Sequence, residues 1–372
     1  MGRRAVIAGA GMGGLATALA CARAGCEVRL FDQANELSEA GAGLQLGPNA
    51  TRRLREWGLA EELRYVGCYP SQLRVRSATD GGVLAAMSLD ALEGRYGAPY
   101  ATVHRADLQQ LLVRAVRSHG VNIRLGARID DAPADCDVLV GADGLWSLVR
   151  RLVVADGLPR ATGDVAYRAL VQQADLPMSV RSHDVTVWLG PRLHVVTYPV
   201  RSGDALNIVA VTEGSLEGRP DDWDQPGPAA DLRRERGAVG PALQALLDAV
   251  PQWRAWVLHA RPPVRSAQEL ARGAVALVGD AAHPMRPYFA QGAAMALEDA
   301  SELANCLASV GGVGEALQRY ADARWERVAR VQALSQRNGA IFHATGVMRW
   351  GRDVSLRVLG ERLLDQPWLY AG

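Results

Sequence analysis

Arg4-Ala5-Val6-Ile7-Ala8-Gly9-Ala10-Gly11-Met12-Gly13-Gly14 decides how this 372-residue chain folds. Arg4 and the four apolar residues before Gly9 read as a short buried strand. An alanine-rich helix from Leu15 to Ala24 follows, closed by Gly25 as a C-cap. Glu27-Val28-Arg29-Leu30-Phe31-Asp32 reads as a second strand, so residues 4–32 make one strand–helix–strand unit. In Gly9-x-Gly11-x-x-Gly14 the first glycine allows the tight turn, the second lets a pyrophosphate approach the backbone, and the third permits helix–strand contact. Met12 and Gly13 complete the turn, and the helix N–H groups and dipole point at the phosphates. Asp32, 18 residues beyond Gly14, stands where a carboxylate accepts hydrogen bonds from ribose hydroxyls. Strand, turn, helix, strand and acid in that order predict a dinucleotide site; a glycine-rich packing turn needs no terminal acid.

Composition narrows the rest. With 41 basic and 40 acidic side chains the net charge is +1, which supplies no field for steering onto nucleic acid or an anionic membrane. The chain contains no lysine, which removes Schiff-base, pyridoxal-phosphate and phosphate-loop lysine chemistry. Its 5 cysteines are odd in number and lack C-x-x-C spacing, so neither a metal site nor a disulfide framework is expected, and a reduced, cytoplasmic compartment fits. Arg3-Arg4 and the run to Arg23 mimic a secretory signal, but five glycines from Gly9 to Gly25 and an immediate strand argue against one. No other stretch approaches the length of a membrane helix.

Further along, Pro48 to Trp57 reads as a helix stopped at Gly58, and Thr79-Asp80-Gly81-Gly82 as a hairpin turn. Ala106 to Ser118 reads as a helix, with Val121–Leu125 and Asp137–Gly141 as strands. Alternating segments between Ala166 and Thr212 predict an antiparallel sheet; Gly214–Pro228 is a loop, and residues 229–249 a helix. Val275–Val278 is one more strand, followed by helices over 292–309 and 313–338.

Three segments identify the dinucleotide. His104-Arg105-Ala106-Asp107-Leu108, Val138 to Arg150 (VLVGADGLWSLVR) and Val278-Gly279-Asp280-Ala281-Ala282-His283-Pro284 resemble the signatures of single-component FAD-dependent aromatic hydroxylases. Gln291 to Ala300 (QGAAMALEDA), Ala333 to His343 (ALSQRNGAIFH) and the Trp368-Leu369-Tyr370 tail narrow the resemblance to the salicylate, 3-hydroxybenzoate and 6-hydroxynicotinate hydroxylase group. It implies an α/β fold like that of p-hydroxybenzoate hydroxylase: a Rossmann-like FAD-binding domain (1–70, 101–164, 266–345), an inserted antiparallel β-sheet substrate domain (71–100, 165–265), and long C-terminal helices with a tail at 346–372. It further implies Asp280 on the ribityl chain, Arg105 at the pyrophosphate, and Gly292-Ala293 opening a helix towards the flavin. Asp143-Gly144 and Arg150 match a segment serving FAD and nicotinamide binding, and Gln45 and Asn49 lie in a loop along the flavin. For Asp143 a turn-forming role, and for Asp280 a helix cap, are the plain alternatives.

The same resemblance places Pro287 beside the flavin and Tyr288 in the substrate cavity. His194 and Tyr198 are four apart on a strand and so share a face. Their spacing matches the catalytic His/Tyr pair of the hydroxynicotinate branch, with the imidazole removing the substrate hydroxyl proton. A sheet-face histidine with a structural hydrogen bond is the other reading. His104, His259 and His343 have no such pairing and read as structural, and Arg168 as a surface arginine. Gly126 to Asp137 is shorter than in relatives, which should trim a sheet edge. The implied reaction uses NAD(P)H and O2 to hydroxylate an activated aromatic, a hydroxylated carboxylate above all, through a flavin hydroperoxide; a larger quinone or natural-product phenol is the alternative. The expected partners are that small molecule and O2, with no nucleic acid, membrane or metal, in a monomer or homodimer. A nicotinamide-dependent dehydrogenase, or a binding protein without catalysis, would leave the later motifs unexplained.

Overall fold

In the computed structural model, which describes residues 2–37, 42–309 and 311–371, the strand–helix–strand unit stands as expected: β1 (Arg4–Ala8), α1 (Met12–Arg23) and β2 (Glu27–Phe31). Next come β3 (Gly43–Leu46), α2 (Pro48–Glu56), α3 (Ala60–Val66), β4 (Gly67–Cys68), β5 (Gln72–Ser77) and β6 (Val83–Ser88). After α4 (Asp90–Tyr96) the chain forms β7 (Ala101–His104), α5 (Arg105–Ser118), β8 (Asn122–Arg124) and β9 (Val138–Gly141). Strands β10 (Arg160–Gln172), β11 (Val185–Gly190), β12 (Leu193–Val200) and β13 (Ala205–Glu213) follow, then β14 (Gln225–Gly227), α6 (Ala229–Glu235), α7 (Pro241–Asp248) and β15 (Trp253–Ala260). The chain closes with β16 (Ala271–Arg272), β17 (Val275–Leu277), α8 (Gly292–Ser309), α9 (Val313–Phe342), α10 (Gly346–Leu359), α11 (Glu361–Leu364) and α12 (Pro367–Tyr370).

A six-stranded sheet runs β16-β17-β9-β1-β2-β8 and is parallel except at the β16 edge. Val6, Ile7, Leu139, Val140 and Leu277 are wholly buried in it, as a sheet covered on both faces requires. An eight-stranded sheet runs β14-β15-β10-β13-β12-β11-β5-β6, and β3-β7-β4 form a small third sheet. Along β12, Leu193 and Val195 enter one core with Ile208 and Trp253, while His194, Val196 and Tyr198 face the other way.

Four expectations need amending. The large sheet is not wholly antiparallel: β5 pairs parallel with β11, because these strands come from distant parts of the chain and no short turn dictates their direction. The helix expected over 229–249 is two, since Gly237 lies at φ +65° and Gly240-Pro241 starts a new N-terminus. The 214–228 loop ends in β14, and β15 had no reading of its own. Residues 346–371 are largely helical, with Arg327 donating to the carbonyls of Trp368 and Leu369 at 2.9 and 2.7 Å. Between Arg124 and Val138 no strand occurs. Among the described residues no helix is long and apolar enough to cross a membrane, and no acid, cysteine and histidine cluster is fit to hold a metal ion.

Candidate active site

The glycine-rich turn is built by close approach. Gly9 lies at φ +100°, and a Cβ there would strike the Ala142 carbonyl that follows β9. A Cβ on Gly14 would strike the Gly9 carbonyl, whereas one on Gly11 would meet nothing. The backbone at Gly11 is therefore open to a ligand, with the start of α1 behind it. Gly13 and Met12 serve packing: Gly13 faces Ala296 of α8, and Met12 is buried. Asp32 accepts hydrogen bonds from the Ala10 N–H at 2.6 Å and the Ala34 N–H at 2.8 Å. Each carboxylate oxygen keeps a lone pair for a sugar hydroxyl.

Across from this turn, the chain leaves β17 at Gly279-Asp280. Solvent reaches the Asp280 side chain although protein surrounds it, the situation of a cleft floor; burial pushes its carboxyl up, while His283 and Arg105 pull it back. A Cβ on Gly292 would lie 4.0 Å from Asp280 Oδ1, so α8 opens beside it, with Ala293 in its first turn. That 18-residue helix has no acid in its first turn to offset its positive end. Arg105 begins α5, its N–H donating to the Ala42 carbonyl at 2.8 Å and its guanidinium 5.3 Å from the Trp223 ring. Gln45 on β3 accepts from the Tyr100 hydroxyl at 2.7 Å.

A buried ionic cluster holds this cleft from beneath. Asp299 accepts from the Gly279 N–H (2.9 Å), His283 Nε2 (2.5 Å) and Arg324 Nε (2.8 Å), and these cations and donors hold its carboxyl down to about 2. Glu298 accepts from Arg324 (2.6 Å), Arg327 (2.6 Å) and Asn49 (2.7 Å). Asn49 thus ties α2 to α8, and it also donates to Gln291 at 3.0 Å. Arg150 is equally structural: it pairs with Asp156 and donates to the carbonyls of Ala281 and Ala282 at 2.9 and 2.6 Å, fixing the Asp280 turn.

The large sheet supplies the opposite wall. Val187, Val196 and Val209 sit side by side on three strands and are each partly exposed, so the sheet face is open between the His194 row and the Tyr198 row. At roughly 3.3 Å per residue, Cα atoms four apart are about 13 Å apart, room for one aromatic ring between the two side chains. Tyr198 is buried against Gly43, burial raises its phenol, and it pairs across the sheet with Asn207, whose Oδ1 accepts from the Gly43 N–H at 2.7 Å. His194 Nδ1 lies 2.9 Å from His343 Nε2, and its ring packs on Tyr288 and Phe342. Burial lowers both histidines, His194 the more strongly, so both are neutral at pH 7. The loop after His283 is hung from α9: Gln332 donates to the Pro284 carbonyl, Ser335 to that of Arg286 and Asn338 to that of Tyr288. Pro287 crests this loop, exposed.

A family model described as FAD binding domain matches residues 3–135 and 130–337. The chain belongs to the FAD-binding domain family. It is 35% identical over 388 residues to 3-hydroxybenzoate 6-hydroxylase of Klebsiella oxytoca, an alignment covering 99% of this chain and 96% of that protein. With 6-hydroxynicotinate 3-monooxygenase of Bordetella bronchiseptica it shares 36% identity over 90% of this chain and 91% of that one. A solved salicylate hydroxylase substrate complex superposes with a TM-score of 0.82 at 27% identity, covering 100% of this chain and 96% of that one.

FAD is the cofactor, and the cleft fits it: an open backbone at Gly11, an acid at the end of β2, and an enclosed carboxylate beside the start of α8. Three further site residues differ from expectation. Asp143 does not face this cleft as a free acid; it accepts from the Ser147 hydroxyl at 2.5 Å and the Leu148 N–H at 2.7 Å, the turn-forming alternative. The Tyr288 hydroxyl proton is not offered to a substrate either, since it is donated to Asp164 Oδ2 at 2.8 Å. Arg168 is 2% exposed rather than on the surface, stacked 4.8 Å from Trp223 and paired with Asp224 at 2.6 Å, because strand alternation turns it inward with Ala166. Sequence reasoning missed His343, Asp164 and the Arg324 cluster. Arg324 was detectable as a charge on the apolar stripe of α9 formed by Leu317, Tyr320, Val328 and Val331; nothing in the sequence linked His343 to His194.

Proposed function

We propose that this protein is an FAD-dependent monooxygenase that uses NAD(P)H and O2 to hydroxylate an aromatic or heteroaromatic ring bearing a hydroxyl, in the main a hydroxylated carboxylate. One observation carries the reading: an apolar sheet face with His194 at one end and Tyr198 at the other forms one wall, and the FAD cleft at Asp280 and α8 stands across from it. Residues 71–100 and 165–265 are the substrate-binding unit in this reading, and the rest through 345 the FAD-binding unit. FAD held in that cleft would supply the redox chemistry between reduced nicotinamide and O2, which no side chain supplies. The protein's own work is to orient and to deprotonate. Val187, Val196 and Val209 hold the flat ring, His194 accepts the proton of its hydroxyl, and Tyr198, kept protonated by burial, donates a hydrogen bond to a ring substituent. A deprotonated ring oxygen enriches the ortho and para carbons in electron density, where an electrophilic oxygen is transferred.

Gly9, Gly11 and Gly14 would receive the pyrophosphate with Arg105, Asp32 would hold the adenosine ribose, Asp280 the ribityl hydroxyls and Gly292-Ala293 the flavin edge, with Gln45 and Pro287 bordering the ring. The test is NAD(P)H oxidation in air by the FAD-loaded protein across hydroxybenzoates, hydroxynicotinates and neutral phenols, quantifying hydroxylated product beside hydrogen peroxide. Stimulation by one acid with matching product is the expected result. Bound FAD with no stimulation by any of them overturns the small-acid substrate class and moves the substrate to larger phenols or quinones.

A further inference from the structure

His343 closes α9 as its C-cap residue, 149 positions beyond His194. Its Nε2 stands 2.9 Å from His194 Nδ1, and among the described residues His194 Nε2 has no hydrogen-bond partner. The His194 ring cannot swing away from this contact. Tyr288 packs 5.0 Å and Phe342 5.3 Å from it, and Tyr288 is itself pinned by Asp164 at its hydroxyl and by Gly339 under its ring. Two neutral imidazoles in contact share one proton between the facing nitrogens, and which ring carries it decides what His194 can do. If His343 donates, His194 holds its proton on Nε2 and is a donor towards the cleft. If His194 donates, Nε2 presents a lone pair and His343 carries its own proton on Nδ1. The charges around His343 are Asp164 from β10, Arg286 from the Tyr288 loop and Arg352 from α10. Arg352 is already engaged with Asp353 and with the carbonyls of Ile341 and Phe342. Asp164 eases positive charge on His343 as a proton passes through it. His343 is also partly exposed, whereas His194 is 1% exposed.

We propose that His343 is the second member of a proton relay, holding His194 in the tautomer whose Nε2 lone pair faces the cleft and taking the Nδ1 proton as Nε2 accepts one from the substrate. This rests on His194 as the base of the proposed reaction. The substrate O–H breaks and an N–H forms at His194 Nε2; the His194 Nδ1 proton moves to His343 Nε2; the His343 Nδ1 proton leaves to water, which reaches this partly exposed residue. One proton exits and no electrons move. The relay spares the cleft an enclosed imidazolium, which is costly to bury without a counter-charge. It runs backwards when the hydroxylated product takes up a proton and departs, which restores both tautomers. His343 is a positioning and proton-passing residue; it does not touch the substrate.

The experiment compares His343→Ala, His343→Gln and His194→Ala in the FAD-loaded full chain. The probe is 3-hydroxybenzoate or 6-hydroxynicotinate, whichever stimulates NAD(P)H oxidation more. Two quantities are read across pH: ionisation of the bound probe by ultraviolet difference absorbance, and product formed per NAD(P)H consumed. His343→Ala should move the ionisation midpoint up by a pH unit or more and lower the product yield several-fold, with peroxide making up the difference and FAD content unchanged. His343→Gln, whose amide oxygen accepts the Nδ1–H but cannot pass the proton on, should recover part of the yield and little of the ionisation. Wild-type ionisation and yield in His343→Ala, beside losses in His194→Ala, would overturn the relay and leave His194 as the base. Wild-type behaviour of His194→Ala would instead overturn the base assignment itself.

Discussion

Gly339→Ala tests how tightly the reacting face is built. A Cβ at this position would lie 3.1, 3.3 and 3.5 Å from Cε2, Cδ2 and Cζ of Tyr288, inside the ordinary carbon–carbon contact by a few tenths of an ångström. The ring has little room to retreat, because its hydroxyl is held 2.8 Å from Asp164 and the ring also packs on His194, Phe342 and His343. Alanine in the interior of α9 gains about 1 kcal/mol of helix propensity over glycine. Overpacking of a filled site costs about 1–3 kcal/mol. The propensity gain offsets only part of that cost, so urea unfolding of the FAD-loaded variant should show stability from unchanged to about 2 kcal/mol lower. Function should change more than stability: a displaced Tyr288 pushes the His194 ring, and product per NAD(P)H should fall several-fold as peroxide rises. A variant stabilised by the full propensity gain, with coupling intact, would refute the close fit between α9 and the Tyr288 ring.

Gly14→Ala should lose FAD, since the added carbon strikes the Gly9 carbonyl at the phosphate turn; FAD per chain after desalting measures it, and full retention would count against the turn. Arg324→Met removes the cation shared by Glu298 and Asp299 in a buried cluster, leaving Arg327 and His283 as their partners. A loss of about 3–5 kcal/mol is expected in urea unfolding, and a loss below 1 kcal/mol would show that the remaining partners suffice. His194 is held neutral by burial, so below its unfolded value near 6.5 the unfolded chain binds a proton that the folded chain does not. Stability complete above about pH 6.5 is therefore lost as the pH falls, by about 1 kcal/mol at pH 5.5 from this group. His194→Asn should show a correspondingly shallower acid slope, and identical slopes would place the loss elsewhere.

Local features carried most of what the sequence disclosed. The glycine turn needs only neighbours in the chain: Gly9 at φ +100° and Gly14 against Gly9 are consequences of a strand entering a helix, and both are legible as spacing. The same holds for the hairpin at Gly81, at φ +77°, and for the end of α2 at Gly58. Period-2 alternation put His194 and Tyr198 on one face of β12, and that placement follows from strand geometry alone. The breaks at Gly237 and Gly240-Pro241 were written in the sequence too, but the apolar residues on either side suggested one continuous helix.

Tertiary structure decided what each polar group does. Asp143 and Arg150 carry the residue types of a ligand site, yet their hydrogen bonds are spent on Leu148 and on the Ala281 and Ala282 carbonyls, partners that folding chose. Tyr288 lost its hydroxyl to Asp164, 124 residues earlier in the chain, and His343 reached His194 across 149 residues. Residue type and spacing state what a side chain is able to bind and, within one element, which face it occupies. A hydrogen bond depends on distance and angle to tenths of an ångström, and for residues this far apart those are set only when the sheets and α9 pack together.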